Sequence, residues 1–244
     1  MMKSCVYGAL GSCCVLAALI AQPVQAADQG FYFKADAGLA LVQDVDVKSI
    51  GNAIGSVAFP FAGTLSDPVD VLGVTIPAGT YTVNKPKVSF DPGLRVDLIG
   101  GYNVSETVAL ELEAGLLYNS LDKITISGTQ DTVPFSKSFK LNANLWQVPV
   151  LVNGVYTFKL DSKFKPFLGA GVGGVWTCVE GSGESESDFT FAYQAMAGVK
   201  YELSNTMDIG LTYKFLGSLD HEFGGLKTDG IYSHSILAAF TFRF

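Results

Sequence analysis

Charge is scarce in this chain: Asp, Glu, Lys and Arg make up 16% of its 244 residues, where water-soluble domains carry about 25%. Such a deficit argues against an ordinary hydrated surface. Long apolar runs are scarce as well. Past the N-terminus no stretch approaches the roughly 20 apolar residues that a bilayer-spanning helix needs, so no internal segment reads as a transmembrane helix. Histidine occurs only at His221 and His234, so a histidine-rich metal site is excluded. Of the four cysteines, Cys5, Cys13 and Cys14 precede residue 26. If that segment is removed, Cys178 stands alone, with no intramolecular disulfide and no Cys-rich metal site. Bases are outnumbered, 16 against 23 acids, which argues against nucleic acid as a partner.

The N-terminus is the exception to the missing apolar runs. Lys3 precedes an apolar stretch from Cys5 to Ala21, which leads into Gln22-Pro23-Val24-Gln25-Ala26. Val24 and Ala26 occupy the −3 and −1 positions of a signal-peptidase site, so residues 1–26 read as a cleaved signal peptide and 27–244 as one mature domain. A retained anchor and a lipobox ending at Cys13 are the weaker readings. Cleavage removes Lys3 and no acid, which moves the formal charge from −7 to −8.

Glycine is abundant, and Gly169-Ala170-Gly171-Val172-Gly173-Gly174 matches the G-x-G-x-x-G pattern of dinucleotide sites. That pattern requires a helix after its last glycine. The next residues are instead Val175-Trp176-Thr177-Cys178-Val179-Glu180 and then a Gly/Ser/Glu stretch without helical periodicity. The recurrence of Gly169, Gly171 and Gly173 at every second position fits one face of a β-strand, with room for long polar side chains from neighbouring strands.

Dividing the mature chain at its Gly, Asn, Asp and Ser clusters predicts eight alternating strands, over 30–42, 93–103, 107–120, 143–158, 165–178, 188–202, 206–217 and 230–244. The connections alternate between long and short, as in a transmembrane antiparallel up-and-down β-barrel with outer loops and periplasmic turns. The fold class is therefore all-β. One strand face holds no Asp, Glu, Lys or Arg, as a lipid-facing surface must. The other predicts a lumen lined by Lys34, Asp36, Arg95, Asp97, Glu111, Glu113, Lys200, Asp208, Lys214 and Arg243, with Gln147, Asn153 and Gln194 among them. Aromatic residues gather at both ends of the apolar band: Phe31, Tyr102, Tyr156 and Tyr201 with Phe242 and Phe244 at the turn end, and Tyr118, Trp146, Trp176, Phe189, Tyr213 and Tyr232 at the loop end. Such belts are favoured at membrane interfaces. A soluble sandwich is the competing architecture. Two segments of the first loop, Val69–Ile76 and Gly79–Phe90, read either as a hairpin above the membrane or as two further staves, so ten strands stay open.

Lys165–Trp176, Phe191–Leu203, Val148–Phe158 and above all the ending Ile236-Leu237-Ala238-Ala239-Phe240-Thr241-Phe242-Arg243-Phe244 resemble the small outer-membrane barrels of the OmpA-like, OmpX-like and opacity-protein families. The resemblance implies a monomer in the outer membrane, both mature termini in the periplasm, among outer-membrane lipids and lipopolysaccharide. It implies that Phe240, Phe242 and Phe244 form the signal read by the outer-membrane assembly machinery. No cofactor or metal is expected.

Catalytic candidates are sparse. Asp220-His221-Glu222 could be an acid-base cluster but has no nucleophile at a defined spacing. His234 and Ser235 fall on opposite strand faces. Glu180, Glu184, Glu186 and Asp188 form an acidic loop without calcium-loop spacing. The expected function is structural or surface contact through the outer loops, without catalysis. A narrow porin-like channel is the first alternative, and an outer-rim lipid A or peptide hydrolase the second.

Overall fold

A computed structural model describes residues 30–52, 55–65, 67–71, 74–76, 78–181 and 184–244. The expected signal segment, 1–26, lies outside the described residues. The strands are, in chain order, β1 (Phe31–Val42), β2 (Val45–Asn52), β3 (Gly55–Ala58), β4 (Phe61–Leu65), β5 (Val69–Val71), β6 (Val74–Ile76), β7 (Gly79–Val83) and β8 (Lys87–Phe90). They continue as β9 (Gly93–Asn103), β10 (Val108–Gln130), β11 (Val133–Thr157), β12 (Phe164–Gly181), β13 (Glu184–Glu202), β14 (Met207–Ser218), β15 (His221–Phe223), β16 (Leu226–Thr228) and β17 (Tyr232–Arg243). No helix occurs among the described residues.

Antiparallel pairing runs β1–β9–β10–β11–β12–β13–β14–β17 and returns to β1, where Tyr32 faces Arg243 and Val42 faces Ser233. Closure removes both sheet edges, so every ladder position within the ring has a partner. Two of the short turns share one device. Ser105 Oγ accepts the N–H of Thr107 and of Val108, and Ser204 Oγ likewise accepts those of Thr206 and Met207. A hydroxyl that caps two nearby amides makes such a turn self-sufficient.

The outer connections differ from expectation in two places. The 121–142 connection is not an irregular loop: β10 and β11 continue past the closed ring as a hairpin, with one irregularity between Leu121 and Lys123. Alternation persists there, Ile124 and Ile126 facing inward while Thr125 and Ser127 face out, so pairing has no reason to stop. Asp131 and Thr132 close it with φ of 48° and 72°, the left-handed pair of a tight hairpin turn. The Asp131 carboxylate accepts the Thr80 N–H at 3.2 Å, docking the tip against β7.

The two segments of the first loop take different courses. β5 and β6 pair only with each other, whereas β7 and β8 pair with the outer half of β10. Phe31–Ala40 pairs directly with Gly93–Tyr102, which leaves no gap between β1 and β9 for a strand from that loop.

Candidate functional site

From the turn end upward, the inward residues of the barrel form three layers. Tyr32, Ala109, Val155, Phe167 and Met196 make an apolar floor. A charged layer comes next, and above it Ala40, Leu117, Leu151, Val175, Ala192 and Leu216 make an apolar ceiling contributed by six strands. The order apolar, polar, apolar recurs along single strands: Val155, Asn153, Leu151 on β11 and Met196, Gln194, Ala192 on β13.

The charged layer is a connected network. Lys34 Nζ lies 3.0 Å from Glu111, whose other neighbour is the Tyr32 hydroxyl at 2.6 Å. Arg95 bonds Asp97 at 2.9 Å, Glu113 at 2.7 Å and the Gln194 carbonyl oxygen at 2.7 Å. Lys214 reaches Asp97 at 2.7 Å and both Asp36 and Glu113 at 3.0 Å. The second Glu113 oxygen accepts from Asn153 and Gln194. Lys34, Asp36, Arg95, Asp97, Glu111, Glu113 and Lys214 are all buried. Charges taken out of water persist only when paired in this way.

The remaining inward candidates lie at the turn end. Arg243 pairs with Asp208. Half-buried Lys200 places its ammonium 5.1 Å from the Phe167 ring centroid and 5.7 Å from that of Tyr32. All three polar side chains line a mouth of about 980 Å3 that ends at the Tyr32 floor. With Lys200 counted, the four cations Lys34, Arg95, Lys214 and Lys200 match the four acids Asp36, Asp97, Glu111 and Glu113.

The glycine run lies on β12 between Phe167 of the floor and Val175 of the ceiling. A methyl on Gly171 would collide with Asn153 Oδ1, so its absence makes room for that network side chain. Gly169 instead faces Met196, and Gly173 the Val150 carbonyl. Only one of the three therefore accommodates a polar neighbour, because the layer boundary falls between Gly169 and Gly171.

Several of the aromatic residues expected at the two ends form cross-strand pairs: Phe31 against Tyr102 at 4.9 Å, Tyr201 against Phe164 at 4.9 Å, and Tyr118 against Trp146 at 4.6 Å. Trp176 faces Phe189 across β12 and β13, Tyr232 stacks on Phe215, and Tyr156 and Tyr213 point outward on the lipid face. Phe240 and Phe244 are exposed and Phe242 partly so, the last two rings meeting edge to face.

Above the ceiling, the described loop residues form apolar clusters and strand pairs of their own. Val45, Leu145 and Ile231, with Val42, Phe90, Leu121 and Val179 against them, cover the loop-end mouth. Farther out, Tyr81, Val83 and Ile126 pack with Phe59, Phe61 and Phe135. The first and last loops are tied together, since β16 pairs with β2, Lys48 pairs with Asp220 and Asp229, and Lys85 pairs with Asp229. Partial burial works against it, but the two ammonium groups hold Asp229 below its ordinary carboxylate range.

Asp220-His221-Glu222 does not act as a cluster. Asp220 turns to Lys48 and Glu222 to Lys227, while His221 points inward. Its Nε2 lies 2.8 Å from Ser218 Oγ and its Nδ1 3.2 Å from Asp188 Oδ2. Sequence reasoning missed this serine–histidine–carboxylate line, because Asp188 is distant in sequence and Ser218 had no marker. The line resembles a hydrolase triad in its order of atoms. Its environment does not suit catalysis: Ser218 and His221 are each only 2% exposed, and Ser218 Oγ already accepts the Ile231 N–H. The arrangement is a latch that fastens the last loop to β13 and β14.

Burial pushes the His221 imidazole below its ordinary 6.5, against the opposing pull of Asp188. A histidine depressed in the folded state contributes stability above the unfolded value and loses it as pH falls through the window below 6.5. Limited proteolysis between residues 218 and 231 is therefore expected to accelerate from pH 7.5 to pH 5 in the native chain. In His221→Asn the rate is expected to be insensitive to pH, and equal pH dependence in both proteins would refute the latch.

His234 sits outside the barrel wall, between the Tyr213 hydroxyl and Gln43, while Ser233 and Ser235 are buried inside. Of the acidic loop, Asp188 serves the latch, and Glu180 and Glu186 lie on β12 and β13. Cys178 is buried and, in the uncleaved chain, disulfide-bonded, a state that does not bear on the expectation of a lone cysteine after cleavage. That expectation held only for a cleaved chain, and the sequence's other cysteines, at positions 5, 13 and 14, lie outside the described residues.

A curated relative from Rickettsia conorii, described as putative adhesin RC1281, is 26% identical over 144 residues, 54% of this chain and 56% of that protein. The chain thus spans about half the length of the curated relative it matches. Among solved structures, Neisserial surface protein A aligns with a TM-score of 0.51 at 15% identity, covering 88% of this chain and 97% of that one. The outer membrane protein OprG from Pseudomonas aeruginosa aligns at 0.49 and 17% identity, covering 88% and 98%. These structural likenesses concern the fold alone. A family model spans residues 12–244, and the chain belongs to the outer membrane protein β-barrel domain family.

Proposed function

We propose that the protein is a surface-contact protein of the outer membrane, working through its loops and without catalysis. One observation carries this reading: above a lumen packed by two apolar layers, described parts of the first, second and last loops pair with one another as further strands. Ordered loops present a fixed shape to a partner, which lowers the entropy lost on binding. The likeness to a protein described as a putative adhesin supports the same reading. In this account residues 1–26 are a cleaved signal peptide, both mature termini lie in the periplasm, and the monomer sits among lipopolysaccharide. Phe240, Phe242 and Phe244 are the signal recognised by the assembly machinery.

Replacing residues 45–90 with a short linker, in bacteria displaying the protein, tests the proposal. Binding to fixed epithelial cells is expected to fall several-fold while the barrel keeps its heat-dependent electrophoretic shift. Unchanged binding would remove the proposal's support. The porin-like alternative is not favoured by the packing, and planar-bilayer recordings of the native barrel are expected to be silent.

A further inference from the structure

Among the described residues, the outer half of β11 has a strand partner on one side only. Val133–Lys140 pairs with β10, but β12 first meets β11 at Ala143, opposite Gly181. Gln130 and Val133 flank a two-residue turn and so form a hydrogen-bonded pair, after which pair types alternate. The backbone groups of Pro134, Ser136, Ser138 and Lys140 therefore point away from β10. Two facts agree with this phase. Pro134 has no N–H to lose at an outward position, and Ser127, opposite Ser136, directs its carbonyl away from β11 to the Asn84 N–H at 2.9 Å.

The result is an exposed strand edge over residues 134–140, whose outward N–H groups have no backbone partner among the described residues. Natural edges are shortened, bulged, covered or guarded by Lys and Pro; here the register is unbroken from Val133 to Lys140, and Pro134, Lys137 and Lys140 act as guards against pairing with a like edge. Residues 133–142 include Lys137 and Lys140 and no acid, in a chain whose acids outnumber its bases.

We propose that this edge accepts an extended, acidic segment of a partner protein, which pairs with residues 134–140 as an added antiparallel strand. Main-chain hydrogen bonds supply affinity in such additions and side chains supply selectivity. The lysines favour carboxylates and disfavour a second, equally basic copy of the same edge. This inference rests on the surface-contact reading and names its mode of recognition.

The test uses the full chain in neutral-lipid vesicles, titrated with a fluorescent seven-residue peptide of alternating glutamate and valine and monitored by anisotropy. Ser138→Pro deletes one outward N–H at a position type that Pro134 already occupies. It is expected to weaken binding about tenfold or more while the electrophoretic heat shift is kept. Methylating the peptide's alternate amides is expected to weaken binding to the native protein equally, which covers the case of a misfolded variant. No binding by the native protein, or no loss with the methylated peptide, would overturn the proposal. Cells displaying Ser138→Pro that still adhere, while the 45–90 replacement does not, would sink the edge and leave surface contact standing. Adherence by both would sink both.

Discussion

Replacing Lys214 with methionine is expected to destabilise the barrel by about 3–5 kcal/mol, the cost of leaving buried charge uncompensated. Lys214 is fully buried and touches Asp97, Asp36 and Glu113 within 3.0 Å. Without it, Arg95 still pairs with Asp97 and Glu113, but Asp36 loses its ion-pair partner. Adding Asp36→Asn should recover part of the loss, because it restores the balance of cations and acids in the lumen. Asp36 is the suitable partner, since neither of its oxygens has a well-aligned hydrogen bond. Urea unfolding of the refolded chain in vesicles, monitored by tryptophan fluorescence, measures both changes. A double variant no more stable than Lys214→Met would show that packing, and not charge balance, dominates the site.

The second large effect lies in the apolar ceiling. Leu216→Ala is expected to cost about 2–5 kcal/mol, since Leu216 is 1% exposed and packs with residues from other staves that closure holds apart. The spread depends on how far Leu117, Leu151 and Val175 can collapse into the vacated space. This variant should remain silent in planar-bilayer recordings, because the charged layer and the floor of Tyr32 and Phe167 still block the path. Discrete conductance steps would mean that the ceiling alone holds the lumen closed, and would revive the porin reading.

Both effects arise in a layer whose composition was legible and whose connections were not. Period-two alternation identified Lys34, Asp36, Arg95, Asp97, Glu111, Glu113 and Lys214 as one face, because a strand sends alternate side chains to opposite sides whatever its partners. It could not say that Lys214 of β14 meets Asp97 of β9, since that contact crosses the barrel interior. Nor did it separate the floor and ceiling from the charged layer, because sequence distance along one strand does not give height without the stagger of its neighbours. The same limit hid the Ser218–His221–Asp188 latch, which joins β13, β14 and the last loop.

What the amino-acid sequence determined by itself is the all-β class, the inward and outward faces and the short turns. Each depends on interactions local to one strand or one turn, or on a solvent that excludes charge. Tertiary structure alone decided the three-layer closure of the lumen, the extension of β10 and β11 past the closed ring, and the folding of the first loop onto that hairpin. Those features depend on register between strands far apart in the chain, and register is set by closing the ring.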